Sequence, residues 1–212
     1  MVTKSNPSGQ KSRIQLPDGS VVHLNAESEL TYIEGFSNDQ RKIHLKGEAY
    51  FEVAKDMSRP FTVITDHISV TALGTEFNVN AFNTDIQVAL IEVSVLVNNV
   101  ANSDQLILKA SEVLKFDSKA KLLKRVASNA NDLSIWRDRI IYFENTPIEE
   151  AVNILSRWYA VDINIEGVSN KKLTCSGKFN NSSLELLLEN LSYALDFQYE
   201  IKGKNVSLNF NN

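Results

Sequence analysis

Residues able to do chemistry are few in this chain and stand far apart. The three histidines are His23, His44 and His67, and none has a histidine, cysteine or acidic residue at a spacing that recurs in metal ligands. A metal site would have to be assembled from distant segments, so surface or half-buried histidines are the expectation. Glu48 and Glu52 are a possible carboxylate pair. Four residues apart on a strand rising roughly 3.3 Å per residue, they stand about 13 Å apart, wider than a glycosidase pair requires. With Tyr50 between them they read as a solvated polar face. Gly74, in Leu73-Gly74-Thr75, opens no phosphate loop, since neither GxxxxGK nor GxGxxG follows. There is no GxSxG elbow, and no cysteine and histidine stand close together. Cys175 is the single cysteine and alternates with Leu173, Gly177 and Phe179. It reads as a buried structural thiol with no disulfide partner. No cofactor is expected, and no residue set supports an enzyme.

The elements that would carry these residues change character along the chain. A central stretch, Ile43 to Phe82, alternates with period two through Lys46–Ala54, Phe61–Thr65, His67–Leu73 and Thr75–Phe82. Thr65-Asp66-His67 is a polar turn within it, and Gly74 interrupts the pattern. Before it, Ser12 to Asn25 reads as a hairpin around Pro17-Asp18-Gly19-Ser20, and Ser28 to Ile33 as a short strand. Gly35 to Arg41 reads as a polar loop. After it, Asp85–Val100, Asp104–Phe116 and Leu122–Ala127 are rich in Val, Leu and Ile with short polar breaks. Many short strands without helical period predict an all-β domain over 1–127, a two-sheet sandwich or a solenoid-like body.

Residues 128–138 begin with the polar run Ser128 to Ser134 and read as a linker. Trp136 is expected to pack the two domains together, and Trp158 to lie in a helix core. From 139 to 212 the pattern is a small double βαβ domain. Ile140–Phe143 reads as a strand and Thr146–Tyr159 as a helix, with Thr146 as N-cap, Pro147 first and Glu149 completing a capping box. Ile148, Ala151, Val152, Leu155 and Trp158 share one face. A second helix opens at Ser182 with Glu185 three residues on, and its stripe is Leu184, Leu187, Leu188 and Leu191. The halves match at an offset of 36 residues, Phe143 falling on Phe179, Leu155 on Leu191 and Ser156 on Ser192. The chain closes in a hairpin around Lys202–Asn205. The whole is mainly β plus α+β.

Composition narrows the classes further. The 212 residues carry a net charge of -4 and 43% hydrophobic residues. That is core enough for a large domain or two small ones. The sequence pI near 5.5 argues against a nucleic-acid partner. No run of eighteen apolar residues occurs. The first twelve residues are polar, so no signal peptide is expected.

Several ordered segments resemble the periplasmic part of FecR-family anti-sigma regulators, the iron-dicitrate sensor family. These are Leu16–Ser28 (LPDGSVVHLNAES), Leu45–Asp56 (LKGEAYFEVAKD), Arg59–Val63 (RPFTV) and Leu73–Phe82 (LGTEFNVNAF). The stretch from Ile141 to Phe210 is similar to the domain that often follows, itself like the secretin/TonB short N-terminal domain. Three positions depart from the family pattern. Val93 stands for a glycine in Ile91–Val95, Ala110-Ser111-Glu112 replaces a PGE turn, and Arg139 stands for a glycine after the tryptophan. Each puts a local turn in question, because glycine commonly serves positive φ.

The resemblance implies a relay with no catalytic residues. The N-terminal signalling domain of a TonB-dependent outer-membrane transporter would contact this body in the periplasm. A cytoplasmic segment, joined through one membrane helix and absent from this chain, would hold a sigma factor. The docking edge expected on the second domain is the polar face of Lys172, Thr174, Ser176 and Lys178, open to strand addition. The competing reading is a carbohydrate- or ligand-binding β module of a polysaccharide-use system, with Tyr32, Phe36, Tyr50 and Phe82 as an aromatic platform. A hydrolase on a β scaffold has only unpaired carboxylates behind it.

Overall fold

A computed structural model describes residues 1–102, 104–167 and 173–210. The chain divides into two compact units, Met1–Arg137 and Asp138–Asn212. The first is built of β1 (Val2–Ser5), β2 (Ser12–Gln15), β3 (Val21–Leu24), β4 (Glu29–Tyr32), β5 (Arg41–Glu52), β6 (Phe61–Ile64) and β7 (Ile68–Ala72). It continues with β8 (Glu76–Ala81), β9 (Ile86–Leu90), β10 (Ser94–Asn99), β11 (Gln105–Lys109), β12 (Val113–Asp117) and β13 (Leu122–Val126).

Strand β5 organises this unit. At twelve residues it serves two sheet leaves in turn. Its first half, Arg41 to Lys46, pairs antiparallel with β4 and parallel with β6. Its second half, Gly47 to Glu52, pairs with β3 and β8. Gly47 marks the changeover. It has φ +84, and a Cβ there would stand 2.8 Å from Ser28 Cβ, so only glycine lets the strand turn the corner against buried Ser28. One leaf runs β11-β10-β7-β6-β5 with β4 and β1 beyond, the other β5-β8-β9-β12-β13 with β3 and β2 on its far side. Inward side chains of both leaves form one core, with Phe51 stacked on Phe77 at 5.1 Å and edge-on to Phe61 at 6.0 Å. The all-β first domain is thus a near-barrel of two leaves sharing a strand.

The loop of the Ser12–Asn25 hairpin is held from inside. Arg41, fully buried, donates to the Asp18 carboxylate at 2.8 Å and to the carbonyls of Arg59 and Ala54 at 2.8 Å each. Its guanidinium also lies 5.4 Å from the Phe61 ring centre. Read as the end of a polar loop, Arg41 is the first residue of β5 and pairs with Phe61. Removing either ion-pair partner would leave a buried charge uncompensated. Strand β1 also escaped the pattern, because it is a polar edge strand paired, among the described strands, with β4 alone. At the other end the outermost strands are tied by side chains. Arg125 of β13 donates to the Ile107 carbonyl of β11 at 2.8 Å, and Asp104 accepts from the Leu123 amide at 3.3 Å. These bonds occupy edge groups that would otherwise invite another strand.

The second unit repeats one motif. It holds β14 (Ile140–Pro147), α1 (Ile148–Tyr159), β15 (Asp162–Glu166), then β16 (Thr174–Asn180), α2 (Leu184–Leu195), β17 (Phe197–Lys202) and β18 (Asn205–Phe210). The offset found in sequence is kept to the residue. Asn145 and Asn181 have φ 47 and 45, and Ala160 and Asp196 have φ 56 and 55. Both helices end in a left-handed cap whose amide bonds a serine carbonyl, Ser156 in α1 and Ser192 in α2. The helix faces bury Ile148, Ala151, Val152 and Leu155, and Leu184, Leu187, Leu188 and Leu191.

The expected helix starts are corrected. Strand β14 runs on through Pro147, so Thr146 pairs with Cys175 and its hydroxyl accepts from the Glu144 amide at 3.1 Å. Helix α1 begins one residue later, without a side-chain cap. In α2 the cap is Ser183, accepting from Leu186 N at 3.3 Å, instead of Ser182. In α1 the strand ladder claims the residue that propensity would place at the helix start. In α2 strand β16 has already ended at Asn180, and the cap falls one residue further on.

Candidate interaction site

Two surfaces could carry a function, one in each unit. In the first unit, one row of outward residues crosses the second leaf in register: Arg13, His23, Tyr50, Asn78, Ala89, Val113 and Val126. The row begins polar and ends small and apolar. Residues 128–137, read from sequence as linker, form a strap packed across it. Ala130 is buried with Ala89 and Val113, and Leu133 and Val126 pack against the same group. Trp136 Nε1 donates to Asn78 Oδ1 at 3.1 Å, and the Arg137 guanidinium lies 3.9 Å from the Tyr50 ring centre. Trp136, expected where the two domains meet, is built into the first unit. Its carbonyl accepts from Lys11 Nζ at 3.3 Å.

That cover changes the reading of Glu48, Tyr50 and Glu52. Glu48 is only 7% exposed and Tyr50 is fully buried, so that part of the expected solvated face is a buried polar network, while the Glu52 side chain keeps 37% exposure beside His23. Glu48 accepts from Asn25 Nδ2 at 2.8 Å and from Asn78 Nδ2 at 2.9 Å. The buried carboxylate is satisfied by two amides. The Tyr50 hydroxyl donates to Glu76. Burial, then that carboxylate, raise the phenol well above its ordinary value, so it stays a donor. His23 Nε2 is 2.7 Å from Glu52 Oε1, His67 stacks on Phe116 and His44 is exposed. Among the described residues no group of three or more His, Cys, Asp or Glu could hold a metal ion. The aromatic platform is also corrected: Tyr32 and Tyr50 are buried, and Phe36 packs against Tyr32 and Phe61. Alternation along a strand separates two faces but does not say which stays wet. The strap's hold on the Ala89–Val113 row was the missing signal.

In the second unit β16 pairs antiparallel with β14, Tyr142 opposite Lys178 and Phe143 opposite Gly177. No other described strand joins this ribbon. Thr174, Ser176 and Lys178 are exposed on one face, as the alternation predicts, while Lys172 lies outside the described residues. Ser176 Oγ accepts from the Asn145 amide at 2.8 Å, and the Lys178 ammonium lies 5.2 Å from the Tyr142 ring centre. On the opposite face Cys175 is buried, and burial pushes its thiol up to about 11. It is neutral at physiological pH, a packing group and not a nucleophile.

The chain is thus a β-rich α+β body of two units, with one two-stranded ribbon, β14–β16, among its described strands. Comparison with known proteins narrows this. The model for FecR protein matches residues 3–96 and the model for FecR, C-terminal, matches residues 140–208. Together they take in more than half of the chain, which belongs to the FecR family of anti-sigma factors. A crystal structure at 1.65 Å of a Parabacteroides distasonis ATCC 8503 protein, proposed to be an anti-sigma factor, is 27% identical over 100% of both chains, with a TM-score of 0.92. A second, at 2.50 Å, also 27% identical, covers 100% of this chain and 99% of its own with a TM-score of 0.90. No functionally curated protein matches the chain. The chain is therefore an anti-sigma regulator. FecR-family members are in general membrane-anchored. No helix among the described residues is long and apolar enough to cross a membrane.

Proposed function

We propose that this chain is the periplasmic sensor part of a transmembrane anti-sigma regulator, and that its second unit receives the signal. The input is the N-terminal signalling domain of a TonB-dependent outer-membrane transporter. The sigma factor is held by a cytoplasmic segment beyond these 212 residues. The observation that carries the reading is the two-stranded β14–β16 ribbon, whose strands each keep one edge without a partner among the described residues. A strand added there would gain main-chain hydrogen bonds, while Thr174, Ser176 and Lys178 select among partners from the exposed face. Lysine on such an edge also hinders indiscriminate pairing.

The test is titration calorimetry of the chain against the isolated signalling domain of the transporter encoded beside it. One-to-one binding is expected, lost when residues 138–212 are removed and lost in Thr174→Pro with the fold intact by circular dichroism. Binding that survives Thr174→Pro would move the docking surface away from β16. No binding to the wild-type chain would set aside the transporter relay itself.

A further inference from the structure

The strap of residues 128–137 does more than close a polar face, because of how it lies and where it leads. Its contacts follow the row across the second leaf in sequence order. Ala130 and Leu133 sit on the Ala89–Val113 end, then Trp136 on Asn78, then Arg137 on Tyr50. The next residue, Asp138, begins the second unit. Tension arriving through Asp138 therefore meets these contacts one at a time: first the Arg137–Tyr50 stack, then the indole bond, then the small apolar seat. A strap laid across strands peels in this way, whereas a strand paired along its length must break a whole ladder together.

The strap is also held differently from the sheet beneath it. The described amide bonds of Leu133, Ser134 and Arg137 go to Asn129, Asn131 and Ser134, all within the segment. The described bonds that hold it to the first unit are made by side chains, those of the strap and that of Lys11, whose ammonium donates to the Trp136 carbonyl. Beneath it, β5 is bound on both sides by full ladders to β3 and β8. Segments held by few side-chain contacts open locally at far lower free energy than core strands. The groups uncovered are chosen for such opening: Glu48 keeps its bonds from Asn25 and Asn78, and the Asn78 oxygen left by Trp136 can take a water.

We infer that residues 128–137 are a releasable latch, which peels from the outer face of the second leaf when load enters through Asp138 and leaves both leaves folded. The inference does not depend on which partner the second unit binds.

Hydrogen exchange of the full chain, read by mass spectrometry, tests independent opening. Amides of 130–137 should exchange on the order of 100-fold faster than those of β5 and β8. Arg137→Ala and Trp136→Ala should each widen that gap by roughly tenfold or more, with β5 and β8 unchanged. Exchange of strap and strands at one common rate would overturn the latch. So would variants that loosen β5 and β8 as much as the strap. Arg137 is only half-buried, so its variant answers even if Trp136→Ala misfolds.

Single-molecule pulling tests the load. Handles are placed at Lys46→Cys on β5 and Asp138→Cys, the native Cys175 being buried and unreactive. A first lengthening on the order of 30 Å, about eight residues paid out at ~3.5 Å each, should precede loss of the leaves. Arg137→Ala should lower its force. Unfolding of the first unit in one step, without this lengthening, would overturn the latch.

Discussion

Three residues hold backbone geometry that suits glycine. Val93, Ser111 and Arg139 have φ of 60, 66 and 63, and each stands where the family pattern has glycine. The turns survive the substitution and store its cost. Ser111 is held by its amide bond to the Leu90 carbonyl, and Ala110 donates to Val93 O at 3.1 Å. A β-branched side chain is worst placed in this region. Val93→Gly and Ser111→Gly should each raise stability by about 1 kcal/mol, seen as a higher urea midpoint at unchanged slope. An unchanged or lower midpoint would show that the turns carry no such strain. At the same scale, Cys175 sets a pH dependence. Its folded-state pKa is raised from 9.0 to about 11 by burial. The stability it contributes is thus complete below about 9 and lost as pH rises toward about 11. Tyr159, raised by burial and then by Glu185 to about 12, adds in the same direction higher up. Cys175→Val should flatten the fall in stability between pH 9 and 11, measured by urea unfolding across that range. A profile parallel to wild type would remove the thiol as its cause.

At the scale of elements, the repeat in the second unit starts its two helices by different means. Helix α2 takes Ser183 as its cap, while the Ser182 hydroxyl turns back to the Asn180 carbonyl at 3.5 Å. Ser183→Ala should therefore cost about 1 kcal/mol, and Ser182→Ala much less, by thermal unfolding of the two variants side by side. Equal losses would restore the cap to Ser182. Helix α1 has no such cap, and its first amide, Ile148 N, is instead bonded to the Leu173 carbonyl at 3.0 Å. The entry to α1 is fixed by a chain segment distant in sequence, which no local capping rule anticipates.

At the scale of the molecule, each unit owns its core. Leu187 and Phe143 lie in one cluster, and Phe51, Phe61 and Phe77 in another. Leu187→Ala, at a fully buried site, should cost about 2–5 kcal/mol. The loss should be confined to the second unit: hydrogen exchange should accelerate between Asp138 and Phe210 and stay unchanged in β5 and β8. Acceleration throughout would show that the two cores unfold together.

What the sequence alone determined was whatever rests on local period. Period two marked most strands, and period 3.6 placed both helix faces, with Trp158 only partly buried at the edge of the α1 face. The offset from Phe143 to Phe179 located a repeat kept even in its backbone caps. The FecR motifs carried family membership because they are ordered, specific stretches. Tertiary structure alone decided which polar residues are wet. Glu48, Tyr50 and Arg41 look like surface in a sequence, yet all three are buried. Their burial depends on partners far along the chain: Trp136 and Arg137 over the second leaf, and Asp18 beside Arg41. A polar side chain is stable inside only when its hydrogen bonds are met there. Those partners are brought together by the fold, and no short-range spacing records them.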